Sequence, residues 1–474
     1  MFTLPRKKLW VVLLLVLIVG ATLFTFFRLG KCPLADYDEA IYAPIVQNIL
    51  AHGNWMTLQY SGANWFEKPP LYIWLVAASI KLLGVSEFAF RFPSALFNIL
   101  AVAFLYLVVW ELSEDAWLSF FSGASLLAVA PFFYFARQVR MDVAVIATIL
   151  FAVWCFLKGS KLSQEKYLIG VGIGIGVGIM IKSVIGLLAI IPILIWSALS
   201  KKCDWTRNKY FLKGLCLMVL IAFLWPLYET IHYGSAFWQS YLVQQVFNRG
   251  TQSPGDQPLT SLDYFKGLWY QAQPWTILFL LSLTSLIFLK KDDPKKKIAW
   301  FGFGTTIVFF GLFFAARTKI FTYLLPMFPF ALIFIAAAVF GLVDLLPTRF
   351  KKVALSLVCA GILAFAFWNT INTTFIQLPQ YFSYLSDEKA VGVILGSQSS
   401  QKGIYLYDWG QNETITFYSG KEIISIKTPE ELPATSGFLI VPSADLGVLA
   451  ATRPFHRAVR FMYEGPALTL YETR

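Results

Sequence analysis

Apolar runs of about 17–25 residues recur from Leu9 to about Thr370, each long enough to cross a hydrocarbon layer of about 30 Å. Inside that layer the backbone must satisfy its own hydrogen bonds, and a helix does so within one segment. The pattern therefore commits residues 1–375 to a mainly α, polytopic helical membrane domain. Residues 376–474, where the runs stop, are left as a small extracytoplasmic α/β unit. With 57% hydrophobic and only 14% charged residues, an ordinary soluble globular chain is excluded.

The first run, Leu9–Phe27, follows Arg6-Lys7-Lys8 and lacks a small-residue cleavage site, so it reads as a retained signal anchor with a cytoplasmic N-terminus. A first outer loop, residues 28–87, follows it. That loop holds a helical stretch over Tyr37–His52 and an apolar segment, Leu71–Leu83, opened by Pro69-Pro70. At about 13 residues that segment is short for a span and suits a helix lying at the interface. Further spans are expected at Phe88–Leu112, Ala116–Ala136, Asp142–Leu157, Tyr167–Ile181, Val184–Leu199, Phe211–Ile231, Pro274–Leu289, Ile298–Ala316, Phe321–Leu345 and Val353–Asn369. The count is eleven, with thirteen as an upper bound.

Cation placement checks this arrangement. The inner loops would hold Arg6 to Lys8, Lys158 to Lys166, Lys201 to Lys213, Lys290 to Lys297 and Arg349 to Lys352, as the positive-inside rule requires. The net charge of +12 is thereby explained without a nucleic-acid partner. Parity then puts Asp38, Glu67, Lys68, Arg137, Arg140, Asp142, Lys182, Arg317 and Lys319 on one outer face, although they come from four connections.

Two patterns are structural. Gly170, Gly174 and Gly178 are spaced for close helix packing, and no strand precedes them to make a dinucleotide loop. The five cysteines form no CxxC and no evident pair. Beyond the last span, Gly403–Trp409, Glu422–Ile426, Gly437–Val441, Arg457–Tyr463 and Leu468–Tyr471 read as strands, with helical turns near Ser386–Gly396 and Pro429–Leu432. No catalytic motif stands out in that unit.

Asp38-Glu39 alone would be a first-turn pair for the helix that follows. Glu67-Lys68 on the same loop and Arg137-Gln138-Val139-Arg140-Met141-Asp142 on another connection change the reading. Carboxylates and cations beside lipid are costly unless paired or used, so the alternatives are a structural salt-bridge set and a cavity with two ends. In the second, lysine and arginine, with Lys319 near Tyr323, would hold a phosphate. A carboxylate opposite would take the proton of a hydroxyl attacking a sugar carbon and so invert it.

The motifs Asp38-Glu39-Ala40-x-Tyr42, Phe66-Glu67-Lys68-Pro69-Pro70-Leu71-Tyr72, Arg140-Met141-Asp142 and Lys319-x-x-x-Tyr323-Leu324-Leu325-Pro326-x-x-Pro329 resemble those of the polyprenyl-phosphate-dependent membrane glycosyltransferases of the GT-C fold. These include the lipid A aminoarabinose transferases and the protein O-mannosyltransferases. The resemblance implies that Asp38 is the catalytic aspartate and Asp142 the second acidic position of the catalytic pair, supporting acceptor or donor binding, with a lipid-phosphate contact at Lys68 and a metal-binding carboxylate at Glu67. Beside these, Glu39, Tyr42, Arg137, Arg140, Lys319 and Tyr323 are candidate substrate contacts, and Arg249 is either a phosphate contact or an exposed loop cation.

The implied donor is a sugar on undecaprenyl or dolichyl phosphate and the acceptor a glycolipid or protein, with the active site on the outer face of the plasma membrane and no nucleotide cofactor. One departure bears on the divalent ion. Relatives carry a Glu-His pair in the large outer loop where this chain has Gln244-Gln245, which leaves Glu67, with His232 as a substitute imidazole. A transporter or flippase is the rival class, expected to place ionisable groups at mid-membrane, often in two related halves. The mid-span positions here are almost free of charge and no repeat is evident.

Overall fold

The computed structural model describes residues 6–35, 38–201, 203–251, 260–399, 402–409, 412–428, 431, 436–445 and 459–473. The chain is a multi-span helical membrane protein carrying a small C-terminal sheet. Among the described residues eight helices are long and apolar enough to cross a membrane, or up to nine if the Ser261–Gln271 and Trp275–Phe288 pair, bent by 95°, is one span.

The difference from eleven has three local causes. Residues 116–136 break into Ala116–Leu127 and Ala130–Phe135, with Pro131 in the first turn of the second piece. The Trp275–Phe288 helix has only 14 residues. Residues 165–200 form one apolar stretch of 36 residues, yet it doubles back at Lys182-Ser183, where Ser183 has φ 51°. A Cβ on Gly186 would meet the Ile179 nitrogen at 2.3 Å. Along an unbroken helix residues that far apart in sequence would be separated by about 10 Å.

The alternating glycines serve two faces of the Leu168–Lys182 helix. Gly170, Gly174 and Gly178 lie against Cys155, Ala152 and Thr148 of the Met141–Gly159 helix, and Gly172 and Gly176 against Gly214, Met218 and Ile221 of the Lys209–Tyr233 helix. Small residues let two backbones approach where lipid offers no hydrophobic drive for association.

The Met141–Gly159 helix gives the molecule its polarity. Asp142 sits in its first turn and Lys158 in its last, a rise of about 24 Å. Lys161 reaches Glu111 at 2.7 Å at the latter end. The expected interfacial helix is present over Leu71–Leu83. The one before it runs over Asp38–His52 and is stopped at Gly53, φ +75°; its expected first residue, Tyr37, lies outside the described residues.

The C-terminal unit carries a five-stranded mixed sheet. Ile424–Ile426, Gly403–Tyr407 and Gly437–Pro442 run parallel, and Leu468–Thr473 and Val459–Glu464 close it antiparallel. Helix Leu385–Ser397 matches the expected turn. Residues Tyr418-Ser419-Gly420 end a helix, Glu413–Ser419, with Gly420 left-handed at φ 64°. The turn expected near Pro429–Leu432 lies outside the described residues except for Glu431, and Arg457 lies outside them too.

Replacing Gly172 with leucine tests the packing. Its Cβ alone would come within 1.8 Å of the Gly214 carbonyl oxygen, and overpacking of this kind costs about 1–3 kcal/mol or more. The thermal midpoint of the detergent-solubilised protein should fall, while Gly361→Ala, with nothing within 4 Å, should leave it unchanged or raise it. Equal midpoints for both variants would remove the close-packing explanation.

Candidate active site

The site is organised on Arg140. This residue is extended, at φ −142°, and immediately precedes the Met141–Gly159 helix, whose first turn carries Asp142. The guanidinium reaches Asp38 at 2.5 Å through Nη2 and Asp142 at 3.2 Å through Nε. Lys182 Nζ closes the chain 2.5 Å from the other Asp142 oxygen. Residues about a hundred positions apart thus meet at one point, on one side of the membrane.

The two aspartates differ in environment. Asp142 is 5% exposed with both oxygens engaged by cations, whereas Asp38 is 32% exposed and open to the cavity. Burial alone would lower the pKa of Arg140, but Asp142 and Asp38 outweigh it and hold the guanidinium charged.

Across a cavity of about 390 Å³ lies a second set of charges. Lys68 Nζ donates to Gln245 Oε1 at 3.0 Å and to the Glu67 carbonyl at 3.3 Å. Arg249 lies 4.0 Å from Glu67. Gln245 is held in a π-helical segment, Gln239–Asn248, a form frequent at functional sites. Burial, then the nearby Arg249 charge, lowers the pKa of Lys68 to about 8.

Tyr42 and Tyr323 complete the wall, with Lys182 5.9 Å from the Tyr323 ring centre. Burial and the Asp38 charge raise the phenol of Tyr42, so it remains a hydrogen-bond donor. Lys68, Arg140, Lys182 and Arg249 face Asp38, Glu67 and Asp142, four cations against three carboxylates.

Three residues expected to contact substrate lie elsewhere. Glu39 turns away from Asp38 and accepts from Arg91 at 2.7 and 2.9 Å, from the Ala35 N–H at 2.9 Å and from the Val139 N–H at 2.7 Å. Arg137 donates to the Thr25 and Phe27 carbonyls and stacks over Phe375. Lys319 donates to the Phe314 and Ala316 carbonyls, capping the end of the Pro294–Ala315 helix. Arg317 is likewise absent from the cavity lining.

Sequence reasoning placed Lys182 on the right face without assigning it a role, and read Gln245 only as a departure. The signal for Lys182 was its position: a cation ending an otherwise apolar run, where the chain must turn. The residues present do not fit a divalent ion. Among the described residues no three His, Cys, Asp or Glu side chains gather as a ligand set. Glu67 faces Arg249, and His232 is exposed, with Nδ1 2.8 Å from the Tyr228 carbonyl.

With this geometry in hand, similarity to known proteins is informative. Residues 67–228 match the family described as dolichyl-phosphate-mannose-protein mannosyltransferase. An undecaprenyl phosphate-alpha-4-amino-4-deoxy-L-arabinose arabinosyl transferase from Pseudomonas fluorescens is 26% identical over 324 residues, 65% of this chain and 53% of the relative. Its counterpart from Pectobacterium atrosepticum is 25% identical over 341 residues, 69% of this chain and 60% of the relative. The chain therefore spans little more than half the length of these curated relatives. ArnT from Cupriavidus metallidurans, solved with undecaprenyl phosphate, superposes with a TM-score of 0.74 at 16% identity, covering 98% of each chain.

The chain has the GT-C fold. Within that fold, Asp38, Lys68 and Arg140-Met141-Asp142 all border one cavity. Glu39→Ala should separate the structural acid from its neighbour. It strands Arg91, itself 6% exposed, and leaving such a charge unpaired costs about 3–5 kcal/mol. A large fall in thermal midpoint and in membrane yield is expected; a variant of unchanged midpoint would show that Glu39 carries no structural load.

Proposed function

We propose that this protein is an inverting glycosyltransferase that moves a sugar from a polyprenyl-phosphate donor to an acceptor hydroxyl of a glycolipid or protein. The supporting observation is the cavity in which the half-open carboxylate of Asp38, fixed by Arg140, faces Lys68 and Arg249. The relatives' names, which specify undecaprenyl phosphate sugars, favour the same donor class.

Asp38 takes the acceptor hydroxyl proton as the oxygen attacks the anomeric carbon. The bond from that carbon to the phosphate oxygen breaks, and the electron pair leaves with the polyprenyl phosphate. The donor is a phosphodiester of single charge, matched to a site with one excess cation. As the bond breaks, charge grows on the leaving oxygen, so Lys68 and Arg249 act more strongly on the transition state than on the ground state. Asp142, saturated by Arg140 and Lys182, orients Arg140 and thereby Asp38. No step is routed through a metal.

The positive-inside rule assigns the site to the outer face of the plasma membrane, because the basic loop around Lys158 and Lys161 lies at the far end of the Met141–Gly159 helix. The transporter reading is less favoured, since Asp142 and Lys182 sit at helix ends rather than at mid-span.

Asp38→Asn should leave the protein folded and inserted while lowering transfer from a lipid-linked sugar by about 10²–10⁴-fold, the usual worth of a positioned base. Full transfer by this variant would exclude the role. Lys68 must be protonated to attract the phosphate, and that charge is lost as pH rises through about 8. The donor KM should therefore climb above that pH. In Lys68→Arg the climb should vanish, because guanidinium stays charged; a climb that persists would place the titrating group elsewhere.

A further inference from the structure

Lys68 is held at the phosphate end of the Asp38 cavity by neutral oxygens. Its ammonium, which has only donors to offer, gives one N–H to Gln245 Oε1 at 3.0 Å and another to the Glu67 carbonyl at 3.3 Å. Neither partner carries a charge, so the cation is fixed in place without being cancelled. The same contact orients the Gln245 amide. Because lysine cannot accept, Oε1 must face it, and Nε2 is left with two N–H groups that have no acceptor among the described residues, on a side chain that borders the cavity.

The contact joins positions 177 residues apart, and one aromatic cluster places both of them. Phe66, two residues before Lys68, meets Phe237 edge to face with ring centres 5.6 Å apart, and Phe237 stacks on Tyr241 at 5.1 Å, four residues before Gln245. Trp225 closes the cluster against Phe237 and Tyr241, and its Nε1 donates to the Met56 carbonyl and to Glu229. Glu229 is fully buried and accepts a second bond from the Thr57 hydroxyl at 3.1 Å. The first loop is thereby tied to the Lys209–Tyr233 helix, and the distance from Lys68 to Gln245 is set from both sides.

We infer that Gln245 has two tasks in donor binding: its Oε1 aims the Lys68 ammonium at the lipid phosphate without neutralising it, and its Nε2 donates to an oxygen of that phosphate. The word donor rests on the transferase reading; the phosphate contact does not. The charge count explains why an amide stands here. Four cations face three carboxylates, which leaves one positive charge for a singly charged phosphodiester. A carboxylate at position 245 would hold Lys68 more firmly, but it would cancel that surplus and offer the phosphate no N–H.

The test uses the full chain in nanodiscs with farnesyl methyl phosphate, a singly charged phosphodiester, as probe. The binding that Lys68→Met weakens defines the signal from this cavity. Gln245→Glu, nearly isosteric and still an acceptor for Lys68, should raise the Kd by about tenfold or more, equivalent to 1.4 kcal/mol. Gln245→Leu should weaken binding as well, by a smaller factor in the Lys68→Met background than in the native one, because part of its effect runs through Lys68. The glutamate variant should keep the native thermal midpoint. The inference is overturned if Gln245→Glu binds as tightly as the native chain, if its loss of affinity comes with an equal loss of stability, if the leucine and methionine substitutions act as independent factors, or if farnesol binds as well as the phosphodiester.

In transfer assays, Gln245→Glu should raise the donor KM and leave the acceptor KM alone. A rise in the acceptor KM, alone or in step with the donor KM, would sink the assignment to the donor. Failure of the native chain to transfer any sugar would instead count against the transferase reading, and the binding measurement would still decide this one.

Discussion

A guanidinium shared between two carboxylates is what ties the loop helices to the membrane helices. Arg140 spans Asp38 and Asp142 at 2.5 and 3.2 Å at the edge of the apolar layer, where the desolvation penalty for an isolated charge is several kcal/mol. The cation could not remain buried there without them. The three groups therefore specify one another's positions. The unequal sharing then gives two chemically identical side chains different work: Asp142, with both oxygens engaged, is a fixed charge, and Asp38, with a free face, can exchange a proton. Environment rather than residue type makes the division.

Glu39 extends this logic to the backbone. By accepting from the Val139 N–H at 2.7 Å and from Arg91, it fixes the chain one residue ahead of Arg140. A residue outside the Asp38 cavity thus sets the aim of the guanidinium that holds Asp38. Arg91 is itself shared, donating to the Leu29, Cys32 and Pro33 carbonyls, so the start of the first loop is anchored to the same point.

Much of this was legible in sequence, because the strongest signals are those that lipid enforces. Apolar length gave the helices, loop cations gave the parity, and parity put Asp38, Lys68 and Asp142 on one face before any distance was known. What charge and spacing do not carry is orientation within that face. Glu39 and Arg137 carry the same charges as their neighbours Asp38 and Arg140, and only the direction in which consecutive side chains leave the backbone separates them; charge and spacing hold no record of it. Lys319 was drawn away by free helix-end carbonyls, Phe314 and Ala316, partners that are invisible in a residue pattern. The reversal at Lys182-Ser183, which brings Lys182 to Asp142, was legible as the cation that interrupts the apolar run between Tyr167–Ile181 and Val184–Leu199.

The C-terminal unit, which carries no catalytic motif, gains a role from where it touches the membrane domain. Tyr418 accepts from the Leu34 N–H at 3.0 Å and donates to Glu87 at 2.9 Å, Lys389 pairs with that same carboxylate, and Thr414 donates to the Leu34 carbonyl at 3.3 Å. Both hydrogen-bonding groups of Leu34 are thereby satisfied by the C-terminal unit, four residues before Asp38. A loop between a span and an interfacial helix would otherwise fray into water. Held at Leu34 from above and at Leu29, Cys32 and Pro33 by Arg91 from below, it has little freedom left, and the carboxylate of Asp38 inherits that rigidity. The C-terminal unit thus acts on the site through the backbone of the first loop, and among the described residues it contributes no side chain to the Asp38 cavity.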